Sequence, residues 1–435
     1  MGQGCRVVVL FVLSALAGVG RMAGQSAPVI LLPPGNSTVQ QEASTPRAVQ
    51  AETPGEMYKD AMRPLTIVRK SLDNWSDAEL GALAVGMRKA KEECNAARPE
   101  DFDGDDLYDF TRLCALGQDW EASNKAALLY IARKLEPHRA QAYALSVSAL
   151  VHMKAMDLAT QTTLEMLDRL PYDAEVAYAV RFMKDTLEQA SDPMAVVLAM
   201  KEHAPLVGAL KKNAALKATN GDAVMSVGAL YDSAMELAFW QREGGDDAGA
   251  AATVADIDAA IKTDALLPAE DAQMVKAVQT RYALLGTELI APKVERSLNT
   301  PPARLHIDRN GAATVLVLFP DWCGGCRKMM KTLTEFAKLN KGTPIHAYGL
   351  VFEDDSVIPS AQGHDLLLKE LQGTSTFVVP ASTVSDLGVV EFPLGVVLDK
   401  EGKVRFIGAI PGDAFNGDGY IPRVIERMVG RGKTK

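Results

Sequence analysis

Two cysteines three residues apart, in Trp322-Cys323-Gly324-Gly325-Cys326-Arg327, are the side chains of this chain best suited to chemistry. At a helix start, residues i and i+3 fall on the same side, so the pair can close a tight, reducible disulfide. The unsatisfied amides and positive dipole end of that helix would stabilise a thiolate at Cys323, lowering its pKa and making it the attacking sulfur. Cys326, one turn inside, is more shielded and is placed to attack a mixed disulfide once it forms. Gly324 and Gly325 add no charge and let a substrate backbone approach. Two duller readings compete, a permanent disulfide and half of a zinc site. Zinc would need two more ligands, yet the other cysteines lie more than 200 residues away and no His falls within fifteen residues of the pair. No metal is expected.

Elements that could hold such a pair are readable on either side. Thr314–Phe319 (TVLVLF) is an unbroken apolar run, as expected of a strand buried on both faces. Lys328–Leu339 has helical spacing, His346–Phe352 is a second strand, and Leu366–Leu371 is a short helix. Val396–Asp399, the polar turn Lys400-Glu401-Gly402 and Val404–Ile407 form a hairpin, with a final helix over about Tyr420–Met428. Residues 305–435 are therefore expected to be a small α/β domain with a mixed sheet.

The stretch TVLVLFPDWCGGC resembles the active-site strand and loop of the thioredoxin superfamily. Downstream, LGVVEFP followed by LGVVLDKEGKVRFIG resembles the cis-proline loop and closing hairpin of the exported, TlpA- and ResA-like thiol-disulfide oxidoreductases. The resemblance covers roughly residues 303–430, under a third of the chain. It implies a thioredoxin-like fold, a cis-Pro393 facing the cysteines, and a Phe392 backbone that pairs with substrate, with Trp322, Gly324 and Gly325 in support. It further implies protein thiol or disulfide substrates, an upstream thiol donor, and no cofactor beyond the Cys323–Cys326 disulfide. Three positions depart from the family pattern. Val317 stands where a buried acid is usual, Met329 where a glutamate often stands, and Lys331 where a helix-kinking proline does. The proton of Cys326 would then pass to water, to a substrate group, or to an acid from elsewhere such as Glu353, Asp354 or Asp355. Reductase is the first expectation, with an oxidase, or a binding scaffold with little redox turnover, as the alternatives.

Residues 57–292 are rich in Ala, Leu and Met at spacings of three and four, which predicts an all-α domain. Ser76-Asp77-Ala78-Glu79 is a capping-box start, and Asp157 and Asp192-Pro193 are further openings. Pro137, Pro171 and Pro205 recur every 34 residues, the period of tetratricopeptide (TPR) helix pairs. A TPR-like array would offer a concave surface to a protein partner. A linker at 293–304, with Pro301-Pro302, then separates an all-α domain from the α/β domain, a multidomain arrangement. Cys94 and Cys114 flank the polar stretch Asn95–Asp106. A bridge there would close about 20 residues and stabilise by roughly 3 kcal/mol; two buried thiols are the other reading. The acidic run Asp101–Asp106 lacks the glycine and closing glutamate positions of a calcium loop and reads as a solvated turn.

Residues 1–27 have the charged start, apolar run and small-residue end of a secretory signal, and 28–56 read as a disordered tether. Export to a periplasmic or extracellular, oxidising compartment follows, with no later segment of spanning length. The net charge of −9 combines −10 before residue 303 with +1 after it, and no basic stripe is present, which disfavours nucleic acid.

Overall fold

Polar caps decide where most of the helices begin. The computed structural model describes residues 52–69, 76–190, 192–218, 225–261, 267–298, 304–307, 313–339, 344–354, 365 and 367–410. The signal sequence, the tether up to residue 51, Pro301-Pro302, Asp355, Leu366 and the final helix lie outside them. The chain divides into two compact units, Met1–Thr162 and Thr163–Lys435.

In the first unit, α1 (Pro54–Val68) and α2 (Asp77–Ala96) each open on a capping box, Thr53 with Glu56 and Ser76 with Glu79. The first of these brings residues 54–56, expected in the tether, into a helix. A short 3-10 turn (Pro99–Asp101) leads to α3 (Gly104–Leu116), capped by Asp103, and α4 (Trp120–Ala132), capped by Asp119. Then come α5 (Arg139–His152) and α6 (Met156–Arg169), within which the division between the units falls. Cys94 at the end of α2 is bonded to Cys114 in α3, with Cα atoms 5.2 Å apart and both sulfurs buried. The acidic run read as a solvated turn is instead divided between the 3-10 turn and the cap and first turn of α3, and Arg133, just after α4, donates to the Phe102 carbonyl between them at 2.8 Å.

The second unit holds α7 (Ala174–Gln189), α8 (Met194–Ala218), α9 (Val227–Glu243), α10 (Asp247–Ile261) and α11 (Ala269–Leu284). Leu206, Leu210, Tyr231, Met235, Ile257 and Val278 form the centre of their apolar core. Across this layer runs a buried polar knot: the Lys184 ammonium lies 2.7 Å from Glu202 and 2.6 Å from Glu236. Of the three prolines spaced by 34, Pro137 and Pro171 fall between helices, but Pro205 lies inside α8, a single helix of 25 residues. The proline column therefore does not mark a third helix pair.

The same unit contains a six-stranded mixed sheet in the order β1-β4-β3-β2-β5-β6. Its strands are β1 (Arg296–Ser297), β2 (Ala313–Pro320), β3 (Ile345–Phe352), β4 (Thr376–Val378), β5 (Leu394–Leu398) and β6 (Val404–Ala409). Between β2 and β3 runs α12 (Gly324–Leu339), and α13 (Ser382–Asp386) precedes β5. β2 pairs parallel with β3 and antiparallel with β5, and all eight of its residues are buried, which accounts for its continuous apolar sequence. The strands and hairpin read from 314–407 are present. β1 and β4 are additional, being too short to carry a period of two.

The boundary expected at 293–304 is not where the units part. Backbone bonds run from Gly286 to Val404 (2.8 Å), Val404 to Thr287 (2.9 Å) and Leu289 to Gly402 (3.0 Å), while Leu285 and Leu289 lie under the sheet among Leu316, Leu398 and Ile407. The residues following α11 are thus built into the sheet before the proline-rich stretch is reached.

Candidate functional site

A buried central strand that ends in a turn and then a helix will present that turn at the strand's carboxyl end. Here β2 ends at Pro320, Asp321 and Trp322 turn, and α12 begins at Gly324. Cys323 and Cys326 are bonded to each other, with Cα atoms 5.3 Å apart. Their environments differ. Cys323 is half-buried at the helix mouth, and the backbone N–H of Cys326 donates to its sulfur at 3.2 Å. Cys326 is 2% exposed within a cluster of Val315, Val317, Phe319, Met329, Met330 and Leu333. These apolar neighbours disfavour charge on the inner sulfur, while the helix amide favours it on the outer one.

Val317 and Met329, which stand where acids are usual in the resembled family, are both part of this apolar wall, and Lys331 points to solvent. Trp322 is 42% exposed beside the pair, Gly325 is exposed and Gly324 half-buried. The Phe392-Pro393 bond is cis. The β2–β5 register ends with Leu318 opposite Leu394, so one further step sets Pro393 opposite Phe319 at the disulfide end of the sheet. Phe392 is half-buried with its ring 5.2 Å from that of Phe352. Trp322, Cys323, Phe392 and Pro393 therefore share one end of the sheet. Cys94 and Cys114 belong to the other compact unit.

Two residues inside the motif were not singled out from sequence. Asp321 is fully buried; its Oδ1 accepts from the Asp354 N–H at 3.4 Å, while Oδ2 has no hydrogen-bond partner among the described residues. Burial pushes its carboxyl up from the usual aspartate range, and the charges of Glu353 and Asp354 push the same way against the amides of Asp354 and Trp322. Arg327, also buried, donates from Nη1 to the Asp321 carbonyl and from Nε to Glu370 at 2.7 Å. It fastens the first turn of α12 both to the turn before the cysteines and to the helical segment 367–370. A charge on either side of a CxxC motif, between an apolar strand and an apolar helix face, was the available signal. Of the acids expected to serve Cys326, Glu353 is paired with Arg296 and Asp354 lends its amide to Asp321. Among the described residues no group of three or more His, Cys, Asp or Glu could hold a metal, and no helix is long and apolar enough to cross a membrane.

No protein-family model matches the chain, and no curated protein does. Solved structures similar to part of it include the thioredoxin domain of a thiol-disulfide oxidoreductase from Bacteroides vulgatus, at 16% identity over 33% of this chain and 97% of that one, with a TM-score of 0.25. A putative thiol:disulfide interchange protein DsbE from Chlorobium tepidum aligns at 18% identity over 33% of this chain and 100% of that one, with a TM-score of 0.26. A thiol-disulfide isomerase from Corynebacterium glutamicum aligns at 15% identity over 34% of this chain and 98% of that one, with a TM-score of 0.28.

Proposed function

We propose that the chain is an exported thiol-disulfide oxidoreductase acting on protein disulfides, with Cys323 as the attacking sulfur and Cys326 as the resolving one. The observation that carries this is the asymmetry of the pair: a half-buried residue whose sulfur accepts from a helix amide, and a fully buried partner one turn away among apolar side chains. Starting from the reduced pair, the Cys323 thiolate attacks a substrate disulfide, forms a mixed disulfide and expels one substrate sulfur as thiolate. The Cys326 thiol then loses its proton to solvent or to the departing thiolate and attacks the Cys323 sulfur. The second substrate sulfur leaves, the substrate gains two electrons, and the Cys323–Cys326 bond closes. An upstream dithiol returns the pair to its reduced form. The exposed Trp322 and the Phe392-Pro393 backbone flank the sulfurs and would orient a polypeptide for this exchange.

Replacing Cys326 with Ser removes the resolving step, so mixed disulfides between Cys323 and client proteins should accumulate on non-reducing gels. No adduct, while Cys323 of the same variant still reacts with iodoacetamide, would count against the exchange mechanism and in favour of a scaffold. The reduction potential of the wild-type pair, set against the poise of the compartment, separates reductase from oxidase.

A further inference from the structure

The loop that delivers Phe392-Pro393 to the disulfide end of the sheet is seated on helices α7 and α11. At the end of α13 the chain turns through Gly388 at φ +63°, with Val389 N–H bonded to the Val384 carbonyl at 3.0 Å, a left-handed helix end. A Cβ on Gly388 would overlap the Ala277 carbonyl oxygen and lie 3.0 Å from both the backbone nitrogen and Cγ of Arg281. Only a hydrogen lets the loop rest on the backbone of α11 there. Two positions on, Val390 packs against the apolar core of the helical layer. Glu391 then meets Arg181 of α7 at 3.5 Å. Arg281 is itself buried and paired with Asp232 of α9, so the seat is firm. Backbone, apolar and ionic anchors thus succeed one another from 388 to 391, immediately before the cis bond.

We propose that Gly388, assisted by the Arg181–Glu391 pair, is a positioning residue through which the helical layer sets the loop beside Cys323 and so selects polypeptide substrates. The proposal rests on the exchange function above. A polypeptide bringing a disulfide to Cys323 must lie over the backbone at that end of the sheet, whereas a small disulfide needs only the sulfur. The ion pair is exposed on both sides and contributes little stability of its own; its role is the direction of the loop.

The test uses the full chain with insulin as the protein disulfide and hydroxyethyl disulfide as the small one. Gly388→Ala is expected to raise KM for insulin about tenfold at unchanged kcat, and to leave the rate with hydroxyethyl disulfide and the reduction potential as in the wild type. Arg181→Glu should raise KM for insulin several-fold, and the swap Arg181→Glu with Glu391→Arg should restore it. Equal losses on both substrates with a shifted potential would mean general damage and overturn the proposal, as would wild-type kinetics in Gly388→Ala. Amide hydrogen exchange over 387–393 supplies a readout independent of turnover. It should speed up in Gly388→Ala and Arg181→Glu while α7 and α11 stay protected, and unchanged exchange would sink the positioning role. A wild-type chain that reduces neither disulfide would instead remove the exchange function, leaving the seat to be judged by exchange alone.

Discussion

Asp321 is buried one residue before Trp322 with one carboxylate oxygen unpartnered among the described residues, and its proton affinity is raised by that burial. In the unfolded chain it ionises near pH 4, as aspartates do. The folded chain holds the proton to higher pH, so between those values the unfolded state binds fewer protons and stability falls as pH rises. Above the folded value the loss is complete and constant. Asp321→Asn keeps the oxygen that accepts from Asp354 and removes the charge. Its melting temperature should therefore gain on the wild type as pH rises from about 4 to neutrality, measured by scanning calorimetry. A difference between the two proteins that is independent of pH would assign the slope to another group. The same residue shows what sequence could not supply. TVLVLF and CxxC announce a buried strand, a turn and a helix, but the inward turn of an aspartate depends on Phe352 and Asp354, some thirty residues further along.

Between elements, the most informative cross-link is Cys94–Cys114, which ties the last turn of α2 to α3 across 20 residues. Replacing both with Ala should lower the full chain's stability by about 3 kcal/mol in the loop-entropy account, plus a share for two small cavities. Urea unfolding followed by far-UV circular dichroism checks this, and a shift below about 1 kcal/mol would show that helix packing alone fixes the pair. From the sequence the pair could be placed at the end of the helix opened by Ser76, whereas the cap at Asp103 that starts α3 lay hidden in an acidic run read as a turn, so bridge and free thiols both stayed open there. The strands β1 and β4 were less legible still. Two or three residues carry no period, and only strands arriving from elsewhere in the chain, β3 on one side and β1 on the other, give Thr376–Val378 partners. Pro205 misled for a related reason. A proline every 34 residues suggests punctuation, but the apolar residues of α8 are buried on both sides of it, and tertiary packing outweighs the lost hydrogen bond.

At the scale of the whole molecule, the proline-rich stretch drew the eye to a boundary that contacts do not respect. A fragment of residues 293–435 lacks Leu285 and Leu289 beneath the sheet and the backbone partners of Gly402 and Val404. It should give a poorly dispersed amide NMR spectrum, while a fragment of residues 163–435 gives a dispersed one. Equal dispersion from both would show that the sheet needs nothing from the helices.

The segment 286–289 also bears on how the protein behaves in a crowd. β6 is the last strand of the sheet, and a bare last strand offers rows of unspent donors and acceptors on which a stranger's strand can lengthen the ladder. By laying its own backbone along residues 402–404, the chain occupies the start of that rim itself. A protease cut just after α11 would lift the guard without touching the cysteines, leaving a molecule chemically intact yet prone to recruit its own copies into aggregates.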